Sequence, residues 1–390
     1  MKSYLSHLIC SKCHEKFDHR ELQTFCTSCN KPLLAIYDLE KVKSELARDI
    51  FSGREPNLWR YRELLPVLDE RHIITLGEGF TPLIKLQPQM GLDNIWVKDD
   101  SQIPTGSFKA RGLAMAVSKA HELGVSKVAI PTAGNAGGAL AAYAIRAGME
   151  CFIFMPKDVP NINYLESKLT GAHVTLVDGI ISDCGKIVAE KKEEMGWFDV
   201  STLKEPYRIE GKKTMGLEIA EQFDWQLPDV IIYPTGGGTG LIGMWKAFGE
   251  LKELGWISGD LPRMISVQST GCDPITQAFE GGKMESEFFE NAETVAAGIR
   301  VPKAFGDALI LQALKESCGL AVSVSDEEIL ASLSELAQKE GMVVCPEGAA
   351  TYSALKLLKE KGDVNRSDKI VLFNTGSGLK YPEVLSQIIN

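Results

Sequence analysis

Seven residues, Pro234-Thr235-Gly236-Gly237-Gly238-Thr239-Gly240, restrict the fold of this chain more than any other stretch. They follow the apolar run Val230-Ile231-Ile232-Tyr233 and precede an amphipathic segment, Leu241 to Leu251, which reads as strand, glycine loop, helix. A backbone without Cβ atoms approaches an anion closely, and its N–H groups add to the positive end of the helix dipole. The loop lacks the Lys-Ser/Thr ending of a nucleotide P-loop, and its spacing does not match Gly-x-Gly-x-x-Gly. A small phosphate monoester therefore suits it better than ATP or NAD. The competing reading, a flexible turn, is the weaker one for three successive glycines between a strand and a helix.

Two further segments have the same character. In Pro104-Thr105-Gly106-Ser107-Phe108-Lys109-Ala110-Arg111-Gly112 a lone lysine sits on a small-residue turn ahead of an Ala-rich helical segment, Leu113 to Glu122. A desolvated lysine is kept partly neutral and becomes a nucleophile toward a carbonyl. Taken alone, the motif also fits a lysine crossing the start of a helix. Pro131-Thr132-Ala133-Gly134-Asn135-Ala136-Gly137-Gly138 follows the run Val128-Ala129-Ile130 and opens a second Ala-rich helix, Ala139 to Ala147. Asn135 there either shapes the turn or caps the helix, or hydrogen-bonds a ring oxygen of a cofactor carried by the lysine.

Taken in order with Gly77-Glu78-Gly79, Thr81-Pro82-Leu83, Cys345-Pro346-Glu347-Gly348-Ala349-Ala350 and Thr375-Gly376-Ser377-Gly378-Leu379-Lys380, these motifs resemble the fold-type II pyridoxal-phosphate enzymes. Within that superfamily, which includes the tryptophan synthase β-like proteins, the pattern is most similar to the threonine synthases and runs from about Leu76 to Tyr381. The resemblance implies that Lys109 binds pyridoxal 5'-phosphate covalently and later moves protons between substrate carbons. It implies that Asn135 donates to the ring's phenolic oxygen. Gly236, Gly237, Gly238, Thr239 and Gly240 would hold the cofactor phosphate, and Thr375 would lie beside the pyridine nitrogen. A hydroxyl there leaves the nitrogen largely unprotonated, a weaker electron sink suited to elimination at the β and γ carbons.

The substrate implied is O-phosphohomoserine, which loses phosphate from the γ carbon and gains water at the β carbon. A second phosphate then needs a site. Arg208, in Glu205-Pro206-Tyr207-Arg208-Ile209-Glu210-Gly211, stands where the family has its phosphate-binding arginine, and a guanidinium fork matches phosphate oxygens. Ser107 and Thr132 join it as substrate-binding candidates. Without the family context, a surface salt bridge to Glu210 is an equal competitor to that reading of Arg208. The chain departs from the family pattern at Ala110, Ala133 and Ala136, and at Glu205, which would repel a phosphate if turned inward. Two other lyases with the same cofactor stay open: a threonine or serine deaminase, and a cysteate synthase using O-phosphoserine. A more distant alternative is a non-catalytic interaction protein.

Cys10-x2-Cys13 and Cys26-x2-Cys29, twelve residues apart, are spaced to close a tetrahedron of thiolates around one zinc. The residues between are polar and aromatic, too few for a core, so metal would supply the folding energy. His14 reads as a bystander. No secretory leader is read, and Cys151, Cys184, Cys272, Cys318 and Cys345 are scattered in apolar or helical settings, which disfavours disulfides.

With 390 residues, 44% of them hydrophobic, the chain can bury two cores and carry a small module. Strand-length apolar runs (Val128 to Ile130, Cys151 to Met155, His173 to Val177, Val230 to Tyr233, Met264 to Gln268, Ile370 to Phe373) alternate with helical stretches. The expectation is an α/β fold: two α/β domains with parallel-type sheets flanked by helices, plus the zinc-ribbon-like module. The module is placed at residues 1–35, a large cofactor domain at 36–112 and 206–390, and a small mobile domain at 113–205. A helix is expected from Leu39 to Asp49. A net charge of −10 argues against nucleic acid as the main partner. No apolar run reaches the roughly 18 residues of a membrane span, so a cytoplasmic enzyme acting on a small phosphorylated amino acid is expected. The resembled fold implies a homodimer.

Overall fold

The structure is a computed structural model describing residues 3–389. A ribbon of three antiparallel strands opens the chain: β1 (Leu5–Cys10), β2 (Lys16–Phe17) and β3 (Leu33–Tyr37), in the order β2-β1-β3. Helix α1 (Leu39–Glu45) follows, capped by the Asp38 carboxylate, which accepts from Lys41 N–H. It stops short of the expected Asp49, because Leu46 is extended (φ −128°, ψ 143°) and Arg48–Phe51 form a separate 3-10 turn. Strands β4 (Leu83–Lys85) and β5 (Ile95–Asp99) come next, then α2 (Lys109–Glu122).

Two runs of alternating elements complete the chain. The first is β6 (Lys127–Pro131), α3 (Ala136–Arg146), β7 (Glu150–Pro156), α4 (Asn161–Leu169), β8 (His173–Val177), α5 (Ile181–Met195) and β9 (Phe198–Asp199). After α6 (Arg208–Gln222), the second holds β10 (Val230–Pro234), α7 (Thr239–Glu253), β11 (Arg263–Ser269), α8 (Pro274–Glu280), α9 (Asp307–Glu316) and β12 (Leu320–Val324). It ends with α10 (Asp326–Glu340), α11 (Pro346–Lys361), β13 (Ile370–Asn374) and α12 (Pro382–Ile389). Every strand run expected from the sequence forms a strand. Local punctuation holds too: Ser325 and Glu328 make a reciprocal cap at the start of α10, and Gly341 ends it at φ +69°.

The chain divides into two compact units, residues 1–80 with 109–214, and residues 81–108 with 215–390. Residues 36–80 thus cluster with the first unit, where the tryptophan-bearing connector is fastened by Glu78. The Glu78 carboxylate accepts from Trp59 Nε1 at 2.9 Å and from the Tyr143 hydroxyl at 2.7 Å. The sheet of the first unit runs β8-β7-β6-β9, all parallel. The second unit holds a six-stranded sheet, β12-β11-β10-β13-β5-β4, parallel except for the β4 edge. β10 and β13 are buried along their whole length, as strands covered on both faces must be, which is why they read as unbroken apolar runs.

One contact inside the first unit deserves energetic weight. Helices α2 and α6 meet backbone to backbone at Gly112 and Gly211. A Cβ at Gly211 would lie 2.1 Å from the Arg111 carbonyl oxygen, and one at Gly112 would lie 2.9 Å from that of Arg208. Gly→Ala inside an exposed helix stabilises by about 1 kcal/mol, but overpacking reverses the sign here. Gly211→Ala is expected to lower stability by about 2 kcal/mol, read as a lower urea midpoint; an unchanged or raised midpoint would show that the helices part freely.

Candidate active site

In the second unit, β10 delivers the glycine loop. Thr235 N–H donates to Val267 O and its hydroxyl to Tyr233 O, so the chain stays tied to the sheet until Gly236. Gly238 then turns left-handed (φ +71°) and begins α7 with no side-chain cap. A Cβ at Gly238 would sit 2.2 Å from Ile310 Cδ1, and one at Gly236 would sit 2.9 Å from Gly298 O. The loop is therefore pressed against its own unit. Among the described residues, no acceptor takes the N–H groups of Gly236, Gly237 or Gly238. Unpaired amides at the start of a 15-residue helix form an anion cradle, and they fit the phosphate of pyridoxal phosphate.

β13 lies beside β10 in register, Val230 opposite Ile370, so Thr375 leaves the same sheet edge as the loop. Ligands of open parallel sheets bind at that carboxyl edge. Thr375 is buried, its carbonyl accepts from Phe108 N–H at 2.9 Å, and its hydroxyl lies 3.8 Å from Cys345 Sγ. Neighbouring Asn374 accepts from Cys345 N–H and donates to Asp99 Oδ1 at 2.8 Å, fixing this corner. Ser107 pairs with Gly376 across an isolated bridge; its buried hydroxyl has no hydrogen-bond partner among the described residues. Cys345 is a neighbour of Thr375 that sequence patterning does not reveal, since it caps α11 from a distant segment.

In the first unit, Lys109 is the first residue of α2, half-buried. The helix begins at the lysine rather than four residues after it. Thr132 and Asn135 follow β6 on the turn into α3. The Thr132 hydroxyl closes that turn on Gly134 at 3.2 Å, while the Asn135 side chain makes no capping bond to α3. The capping role that sequence leaves open for Asn135 is therefore not taken.

Arg208 is 3% exposed and is not a surface partner of Glu210. Its Nη1 donates to Val200 O at 2.7 Å, and its Nε has no partner among the described residues. Glu210 instead pairs with Lys213 at 2.8 Å. Glu205 is turned inward and fully buried, and its carboxylate oxygens accept from Tyr207 N–H and Arg208 N–H, each at 2.8 Å. It occupies the place an anion would take at the start of α6. Burial pushes the Glu205 carboxyl up to about 7, against the opposing pull of the Arg208 guanidinium. Burial also lowers the guanidinium from its ordinary value.

The four cysteines converge as the spacing requires. Cys10, Cys13, Cys26 and Cys29 place their Sγ atoms within 4.8 Å of one another, with Cys10 to Cys29 at 3.3 Å and Cys13 to Cys26 at 3.6 Å. Tetrahedral thiolates around zinc would be about 3.8 Å apart. The two knuckles repeat one geometry: His14 N–H returns to Cys10 O and Asn30 N–H to Cys26 O, with both residues left-handed. His14 is exposed and outside the cluster.

The raised Glu205 value has a definite sign. The fold binds the Glu205 proton more tightly than the unfolded chain does, so its contribution to stability is full below about 4.5 and is lost as pH rises through about 7. The stability difference between wild type and Glu205→Gln is expected to move in the variant's favour across that window, measured by urea unfolding at pH 5 and pH 7.5. A difference independent of pH would contradict it.

The model of the pyridoxal-phosphate dependent enzyme family matches residues 74–376. A threonine synthase of Methanocaldococcus jannaschii is 36% identical over 378 residues, covering 96% of this chain and 93% of that protein. A threonine synthase of Methanosarcina acetivorans is also 36% identical, covering 98% of this chain and 94% of its own length. Among solved structures, the processed form of threonine deaminase isoform 2 from Solanum lycopersicum matches at TM-score 0.67 and 20% identity, covering 79% of this chain and 86% of its own. Maize serine racemase matches at 0.68 and 23% identity, covering 79% and 91%. At such identities these structures establish the fold alone. The chain belongs to the pyridoxal-phosphate dependent enzyme family, and its sequence groups it with the threonine synthases.

Proposed function

We propose that this chain converts O-phosphohomoserine and water to L-threonine and phosphate. The observation that carries the reading is likeness to two archaeal threonine synthases over 96% and 98% of the chain, rather than over the shared cofactor domain alone. When bound, pyridoxal phosphate supplies an electron-withdrawing ring conjugated to the substrate's α carbon. The amides of Gly236, Gly237 and Gly238, with Thr239 and Gly240, are assigned to its phosphate, and Asn135 to its phenolic oxygen. Thr375 would offer a neutral hydroxyl rather than a carboxylate to the ring nitrogen. Lys109 Nζ is assigned the covalent hold on the cofactor and then the protons that leave the α and β carbons and return at α and γ. Arg208 supplies positive charge for the leaving phosphate, and Ser107 and Thr132 hydroxyls are assigned to the substrate.

The four thiolates are assigned to one structural zinc, and a homodimer working in the cytoplasm completes the reading. No helix among the described residues is long and apolar enough to cross a membrane. One observation favours a second reading. Glu205 already fills the anion position at α6, which suits a relative whose substrate has no second phosphate, such as a threonine or serine deaminase.

The deciding experiment offers O-phosphohomoserine, O-phosphoserine and threonine side by side to cofactor-loaded protein and identifies the products. Threonine and phosphate from the first are expected; ammonia and an oxo acid from threonine, with no turnover of the first, would overturn the reading. Lys109→Ala is expected to lose about 10³-fold or more in turnover. Arg208→Ala is expected to raise KM for O-phosphohomoserine about 10- to 100-fold, an effect a deaminase would not show. Elemental analysis is expected to find about one zinc per chain; none in protein purified without chelator would remove the metal assignment.

A further inference from the structure

The ribbon is fastened to the first turn of α6 by buried polar contacts. Tyr37, the last residue of β3, donates its hydroxyl to Glu210 Oε2 at 2.8 Å. Lys213 Nζ pairs with the same carboxylate at 2.8 Å and lies 3.8 Å from the centroid of the Tyr37 ring. A second tyrosine, Tyr207, donates its hydroxyl to the carbonyl of His19, in the segment between the two cysteine knuckles. The Glu210 and Lys213 side chains are both 0% exposed. A buried ion pair offsets its desolvation cost only when further hydrogen bonds complete it. Tyr37 provides one of these to the acid, and its ring face meets the base.

The placement of these groups has consequences at both ends. On the ribbon side, β1 and β3 form one ladder that pairs Cys10 with Leu33 and Leu5 with Tyr37. The metal-ligating corner and Tyr37 therefore sit at opposite ends of the same two strands, and His19 lies in the loop that the cysteines close. On the helix side, the turn so held carries Arg208, and its Gly211 abuts the Arg111 carbonyl in the turn that starts with Lys109.

We propose that the four-cysteine ribbon is the support that fixes the first turn of α6, with Tyr37 as the positioning residue for the turn that carries Arg208. The ribbon is then a working part of the substrate-binding unit rather than an appendage. The consequence for turnover rests on the threonine synthase reading of Arg208; the consequence for the helix does not.

The test uses full-length, cofactor-loaded protein as wild type, Tyr37→Phe, Tyr37→Ala and, as a control, Tyr4→Phe. Tyr4 directly precedes β1 of the ribbon, and its hydroxyl bonds to Glu45 of α1. Backbone hydrogen exchange of the peptide spanning 206–216 is read by mass spectrometry, beside KM, kcat and cofactor absorbance. Losing one hydrogen bond to a charged group should raise exchange in that peptide about tenfold in Tyr37→Phe. KM for O-phosphohomoserine should rise about five- to tenfold with kcat and absorbance little changed, the mark of lost ground-state binding. Tyr4→Phe should change neither, and chelating the metal from wild type should reproduce the local exchange. Exchange at 206–216 unchanged in both Tyr37→Ala and metal-free protein would overturn the proposal, as would a rise spread evenly over the chain. Faster local exchange with unaltered KM would uphold the support and overturn the role given to Arg208.

Discussion

The contact on which the candidate site most depends is the backbone approach of α2 and α6 at Gly112 and Gly211. It brings the backbone of the turn beginning at Lys109 against that of the turn beginning at Arg208, with the Lys212 side chain packed beside Gly112. Each glycine costs its helix about 1 kcal/mol relative to alanine, a cost that only the close crossing offsets. Further contacts brace the same crossing, including Arg111 Nη1 to the Thr214 hydroxyl at 3.0 Å. Lysine and arginine thus start two helices whose first turns are in backbone contact. A reaction that needs proton transfer and leaving-group charge stabilisation at fixed separation benefits from that constraint.

The two helix starts treat anions differently, and the difference is physical rather than nominal. At α7 the glycine loop leaves its amides without acceptors and its backbone pressed into the unit behind it. That amounts to an anion site prepared in advance. At α6 the corresponding amides are already taken by the chain's own Glu205. The buried carboxyl is held near neutrality by desolvation, so a phosphate approaching Arg208 meets a group that carries a proton more readily than an ordinary carboxyl. On the proposed reading, one helix start is open to the cofactor phosphate, while at the other an internal acid stands where the substrate phosphate would approach.

Much of this was legible in the sequence because it is local. Apolar runs became parallel strands, buried throughout at β10 and β13, and His173–Val177 matched to the residue although it lies largely exposed at a sheet edge. Cysteine spacing announced the knuckles, and glycines between a strand and a helix announced the cradle. The rest depends on partners far apart in the chain. Nothing near Phe108 shows that its amide donates to the carbonyl of distant Thr375. Nothing near Glu205 distinguishes a solvated acid from a helix cap beside a buried arginine. Gly112 and Gly211 look like weak points in helices until the two helices cross, and Tyr37 looks like an ordinary strand aromatic until Glu210 is found beneath it. Sequence motifs named the groups that carry chemistry, whereas the residues that hold those groups became visible only through tertiary contacts.

On the proposed reading Lys109, at the start of α2, carries the cofactor. Borohydride reduction of the cofactor-loaded protein, followed by peptide mapping, tests it most directly. A single pyridoxyl group on the peptide containing Lys109 is the expected result. A label on another lysine, such as buried Lys98 or Lys212, or no label at all, would contradict the account.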